Sequence, residues 1–122
     1  MLSTGIQIPE NTKIGSGFRI VHFGHIVINP ATIIGKNFNI SHGFTLGHAE
    51  GRQVGSPIIK DNVSIQTNAV VVGGVVIGND ALIAPNAFVN FDVPDGAIVL
   101  GNSGKIILKD KASEKYIVYK VE

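Results

Sequence analysis

Aliphatic side chains return every six residues along most of this chain: Ile8, Ile14 and Ile20; Ile28, Ile34, Ile40 and Leu46; then Ile59, Ile65, Val71, Ile77, Ile83 and Val89. This period is neither the 2 of an exposed strand nor the 3.6 of a helix. Two interruptions occur, a step of eight residues from Ile20 to Ile28 and one of thirteen from Leu46 to Ile59. Four residues after many of these positions comes a second inward candidate, often small: Thr12, Thr32, Ala69, Ala81 and Ala87. Gly, Asn, Asp and Pro fill much of the rest, as in IGSGF, IGKNF and IGNDA. A hexad of this kind is a short strand plus a tight turn, which cannot bury its aliphatic residue alone. Stacking does so if three hexads close one triangular coil of about 18 residues, each coil adding ~4.8 Å.

The expectation is an all-β parallel β-helix of roughly five coils over residues 1–107, followed by a tail at 108–122. Stacking sets a register. One inner edge carries Ile8, Ile28, Leu46, Val71 and Val89; the second Ile14, Ile34, Ile59 and Ile77; the third Ile20, Ile40, Ile65 and Ile83. GHAEGRQVGSPI, residues 47–58, must then leave the coil as a loop, where exposed polar chemistry is usually found. After Val89 the period breaks at NFDVPDGAIVLGN, whose Pro94 and Asp95-Gly96 read as a turn. The tail KDKASEKYIVYKVE has no hexad and only a weak alternation.

Composition agrees and closes other routes. The 122 residues hold 18 Ile and 14 Val against five Leu, a ratio that suits pleated strands rather than helices. Ten Lys and Arg against nine Asp and Glu give a net charge of +1 with no basic cluster, so nucleic acid is not an expected partner. The absence of Cys excludes disulfides, thiolate zinc sites and a Cys nucleophile. No apolar run approaches the ~20 residues of a membrane-spanning helix, and MLSTGIQIPENT lacks the pattern of a signal peptide. A cytoplasmic protein without membrane insertion is therefore expected, which makes the Asn-x-Ser sequences at Asn39 and Asn62 chance matches to a glycosylation acceptor.

All four histidines lie between residues 22 and 48, around the two interruptions. His22 follows Ile20 by two residues and His42 follows Ile40 by two, so the register puts them on one corner of adjacent coils. His48 opens the loop. An imidazole with an unperturbed pKa of ~6.5 suits a general base, whereas a histidine in a turn can equally be a solvent-facing residue.

The segment GFRIVHFGHIVINPATIIGKNFNISHGFTLG resembles the serine acetyltransferase branch of the hexapeptide-repeat acyltransferases, and more closely the serine-acetyltransferase-like proteins that O-acetylate polysaccharide building blocks. The matching stretches are His22 to Asn29, Ile34 to Ser41 and Phe44 to Gly47, within a similarity running from about Gly5 to Ile107. The resemblance implies a left-handed helix and a homotrimer binding acetyl-CoA in the groove between subunits. It also implies transfer of acetyl to a hydroxyl of a small acceptor, a sugar or polysaccharide precursor, without a metal. His22 falls at the general base. Gly47, Thr67 and Pro85 fall at contacts to the pantetheine arm and adenine region, and Lys105 where a cation approaches the phosphates. Two positions depart from the serine enzymes: Gln7 stands where an Asp orients the catalytic His, and Ser56 where their loop carries a second His. With His42 and His48, these two are candidates for a reshaped acceptor pocket.

Two other functions compete with this one. The repeat could serve only as a non-catalytic trimeric scaffold, a reading that Gln7 and the short N-terminus favour. Alternatively, His22, His42 and His48 could converge on zinc as in the carbonic-anhydrase-like proteins of this fold, although their spacing does not follow that family's ligand pattern.

Overall fold

The computed structural model describes residues 6–8, 12–20, 25–50, 54–102 and 104–108, with the backbone alone for Ile6 and Gln7. Each hexad contributes a strand of two or three residues, and the strands stack into three parallel faces. The first face holds β1 (Ile6–Gln7), β4 (Ile26–Ile28), β7 (Thr45–Gly47), β10 (Val70–Val72) and β13 (Phe88–Val89), in that spatial order. The second holds β2 (Lys13–Ile14), β5 (Ile33–Ile34), β8 (Ile58–Ile59) and β11 (Val76–Ile77). The third holds β3 (Arg19–Ile20), β6 (Asn39–Ile40), β9 (Ser64–Ile65), β12 (Leu82–Ile83) and β14 (Ile98–Leu100), with β15 (Lys105–Ile107) at its end. This is the expected parallel β-helix, and among the described residues there is no helix long and apolar enough to cross a membrane.

The observed register is the one set by the six-residue period. Ile28, Leu46, Val71 and Val89 stack on the first face. Ile14, Ile34, Ile59 and Ile77 stack on the second, and Ile20, Ile40, Ile65 and Ile83 on the third. The break after Val89 proves to be a shortened side rather than an end. Val93 bridges Ile77 in parallel, and Val99, six residues on, pairs with Ile83, so these two valines close the fifth coil. The chain then reverses, and β15 pairs with β14 in antiparallel fashion, Lys105 opposite Leu100.

The second inward position is small at Thr32, Ala69, Ala81 and Ala87, all at most 1% exposed. Phe38 and Phe44 occupy the same position with no exposure at all, and Phe18 packs on Phe38 at 5.9 Å between ring centroids. The lower coils are thus filled by aromatic rings, and the upper ones by Val63, Val75 and alanines. Close packing forces this complementarity, since each coil has room for a fixed volume of side chain.

The turns between the second and third faces explain the Gly, Asn and Asp of the hexads. Asn37, Asn62 and Asp80 all have φ near +60°, a region where Asn and Asp are tolerated because their short side chains bond locally. Those side chains also bond each other: Asn37 Nδ2 donates to Asn62 Oδ1 at 2.9 Å, and Asn62 Nδ2 to Asp80 Oδ1 at 3.2 Å. Beside this ladder runs another, in which Asp61, Asn79 and Asp95 each accept a backbone N–H from the coil below. Gly35 has no alternative in this column, because a Cβ there would lie 2.8 Å from the carbonyl carbon of Lys60.

Candidate functional site

The candidate residues divide between two corners of the prism. At the corner from the third face to the first, the turns of successive coils stack His42, Thr67 and Pro85 two residues beyond Ile40, Ile65 and Ile83. Backbone bonds hold this column: the His42 carbonyl accepts the Asn68 N–H at 3.1 Å, and the Thr67 carbonyl accepts the Asn86 N–H at 2.9 Å. Gly43, Asn68 and Asn86 follow the three residues at positive φ, which turns each coil sharply into the first face. Pro85 is exposed, and His42 and Thr67 are half-buried. His22, which the sequence register assigns to this same column, lies outside the described residues, as does the Gln7 side chain.

At the other end of the first face, Gly47 closes β7 and the loop begins. The Gly47 carbonyl accepts the Gly73 N–H at 3.0 Å from the coil above, and the Leu46 carbonyl accepts the Asn29 N–H at 2.8 Å from the coil below. Ala49 and Gly55 exchange backbone hydrogen bonds of 2.9 and 3.0 Å, zipping the two arms of the loop together. That bridge brings His48 to Ser56, with Nδ1 3.3 Å from Oγ. The opposite ring nitrogen, Nε2, lies 3.1 Å from Glu50 Oε1. Ser56 Oγ in turn donates to Asn29 Oδ1 at 3.0 Å. Asn29 is fixed by an Asx turn, its Oδ1 also accepting the Ala31 N–H at 2.9 Å. Glu50, His48, Ser56 and Asn29 therefore form one hydrogen-bonded chain from an exposed carboxylate to the body of the prism.

His48 and Ser56 are brought together as pocket candidates, and His42 is not with them. From His42 to Gly47 the chain crosses the whole first face, five residue steps or about 16 Å of extended strand. Within one prism His42 and His48 accordingly do not converge, and among its described residues no group of three His, Cys, Asp or Glu could hold a metal ion. Lys105 opens β15, is exposed, and belongs to the hairpin closing the last coil. The sequence reading missed Asn29 and Glu50. Asn29 had a signal, since Asn before Pro at a strand end marks a turn; Glu50 had none, because only the Ala49–Gly55 bridge gives it a partner.

Residues 56–90 match the family of bacterial transferase hexapeptide proteins (six repeats). The fold is thus a left-handed β-helix, and its repeat is similar to that of the hexapeptide-repeat transferases. Within that class, the chain is 38% identical over 110 residues to a serine acetyltransferase of Helicobacter pylori, covering 88% of this chain and 64% of that protein. A Neisseria gonorrhoeae serine acetyltransferase solved with serine superposes with a TM-score of 0.74 and 34% identity, over 83% of this chain and 42% of that one. Another serine acetyltransferase, solved with CoA, gives a TM-score of 0.73 at 29% identity, over 80% and 40% of the two chains. The chain therefore has serine acetyltransferases as homologues and spans less than two thirds of their length. None of these three relatives is an enzyme of polysaccharide O-acetylation, so the narrower branch expected from the sequence is not supported.

Proposed function

We propose that the chain transfers acetyl from acetyl-CoA to the hydroxyl of a small acceptor, with L-serine as the acceptor that its relatives favour. The observation that carries this reading is the homology to serine acetyltransferases, one of them solved with CoA and another with serine. The stacked corner of His42, Thr67 and Pro85 supports it, since these are the coils along which the resemblance runs the cofactor. No metal is needed.

In this mechanism the His22 imidazole takes the proton of the acceptor hydroxyl as its oxygen attacks the thioester carbonyl. The tetrahedral intermediate collapses by breaking the carbon–sulfur bond, and the departing thiolate regains that proton. A general base of this kind supplies about 10²- to 10⁴-fold. Thr67 and Pro85 of one protomer and Gly47 of a neighbouring one line the coenzyme's path in this reading, and Lys105 approaches its phosphates.

The active unit in this reading is a homotrimer, and the separation of the two corners is in keeping with it. A groove between protomers brings the His42 column of one copy near the His48 loop of another, which one prism keeps about a strand length apart. Ile33 and Ile58, 44% and 42% exposed and side by side in register, form an apolar stripe on the second face that such an assembly would cover. Dependence on acetyl-CoA is consistent with a cytoplasmic site.

A sugar hydroxyl is the second acceptor to test, because Ser56 stands where the serine enzymes carry a loop histidine. The deciding assay follows thiol release from acetyl-CoA with L-serine and, separately, with sugars. Turnover with L-serine, lost at least 10²-fold in His22→Ala, supports the reading. Full activity in that variant, or no turnover with any hydroxyl acceptor, overturns it.

A further inference from the structure

The loop leaves the prism between two turns of the same corner, Asn29-Pro30-Ala31 in the coil below and Gly73-Gly74 in the coil above. The upper turn holds both of its arms. Gly73 takes φ +94°, and its N–H donates to the Gly47 carbonyl at 3.0 Å, which fixes the outgoing arm. The returning arm rests on Gly74. A Cβ on Gly74 would overlap the Val54 carbonyl oxygen, and would lie 3.1 Å from the carbonyl carbon and 3.6 Å from Gly55 Cα. The contact is reciprocal, since a Cβ on Gly55, whose φ is +125°, would stand 3.3 Å from Gly74 Cα. Backbone lies on backbone here, and no flexible side chain is available to yield. Gly55 also closes the loop on Ala49, and Ser56 follows it, with Oγ 3.3 Å from His48 Nδ1. The seat at Gly74 therefore reaches His48 and Ser56 through one residue and one backbone bridge.

The geometry points to Gly74 as a positioning residue: it touches no reacting group, and it sets how far the returning arm, and with it Ser56 and His48, stands from the prism. Relieving the overlap made by a Cβ takes a displacement on the order of 1 Å, and misplacement of that size can cost about 10²-fold in rate. The kinetic consequence rests on the proposed acetyl transfer. The seat itself rests on the contacts.

The test uses the full chain carrying Gly74→Ala. The kcat/KM for L-serine should fall about 10- to 100-fold, while the KM for acetyl-CoA stays within about twofold, because Gly47 is held by the Gly73 N–H and not by Gly74. Gly35→Ala, an equally close backbone contact at another corner, should lower the Tm and leave kcat/KM for L-serine within about twofold of the wild type. An unchanged kcat/KM in Gly74→Ala, or the same loss in both variants, overturns the inference while acetyl transfer stands. Gly55→Ala, which presses on Gly74 from the loop side, should repeat the split between the two substrates, and its absence there has the same meaning. NMR reads the seat without turnover. The α-protons of Gly55 and Gly74 should show a direct contact in the wild type, and the His48 ring resonances should move in Gly74→Ala while those of His25 stay. A missing contact, or an unmoved His48, overturns the inference; both signals in a protein that acetylates no acceptor would overturn acetyl transfer and leave the seat.

Discussion

Replacing Asn62 tests the side-chain ladder that holds successive coils in register. Its side chain bonds Asn37 below at 2.9 Å and Asp80 above at 3.2 Å, and its backbone sits at φ +60°. Each of the two bonds contributes about 0.5–1.5 kcal/mol net, so Asn62→Gly, which keeps the turn conformation, should cost about 1–3 kcal/mol. Asn62→Ala loses the same bonds and adds a Cβ in the left-handed region, worth a further 1–2 kcal/mol or so. The order of stability is therefore Asn, then Gly, then Ala, an unusual order because alanine ordinarily outranks glycine. Urea unfolding at one fixed protein concentration measures it, with the midpoint falling and the slope unchanged. An alanine variant as stable as the glycine variant would refute the argument from backbone conformation. A glycine variant as stable as the wild type would refute the ladder.

Thr32 Oγ1 is buried, with the residue only 1% exposed, and has no hydrogen-bond partner among the described residues. Thr32→Val replaces that hydroxyl by a methyl of similar shape, and the urea midpoint should rise by the equivalent of about 1 kcal/mol; a fall would mean the hydroxyl is satisfied. Phe38, fully buried between Phe18 and Phe44, should cost about 3–5 kcal/mol as Phe38→Ala in the same assay. Gly35→Ala forces the backbone of the next coil to move and should destabilise by about 1–3 kcal/mol, measurable as a lower Tm.

The fold was legible because a six-residue period has one stacked solution, and the pairing of Ile34 with Ile59 across a thirteen-residue step follows from it directly. The shortened side at Val93 was not legible: its position in the coil depends on a bridge to Ile77, which the local turn sequence VPDG does not reveal. The phenylalanines were passed over for a related reason. A period marks which positions face inward but not how much volume each coil accepts, so Phe38 and Phe44 share a position with Ala69 and Ala81. The site was half visible. His42, Thr67 and Pro85 could be aligned by counting, whereas the Glu50–His48–Ser56–Asn29 chain arises from an antiparallel loop closure with no periodic signature.

The central claim, an acetyl-CoA site along the corner of His42, Thr67 and Pro85 completed by a second copy, is tested most directly by a crystal structure with coenzyme A. The account predicts the pantetheine arm along that corner, its sulfur beside His22, and the His48 loop of a neighbouring protomer facing it across the groove. Coenzyme bound away from this corner, or a sulfur remote from His22 with no second protomer at the groove, would contradict it.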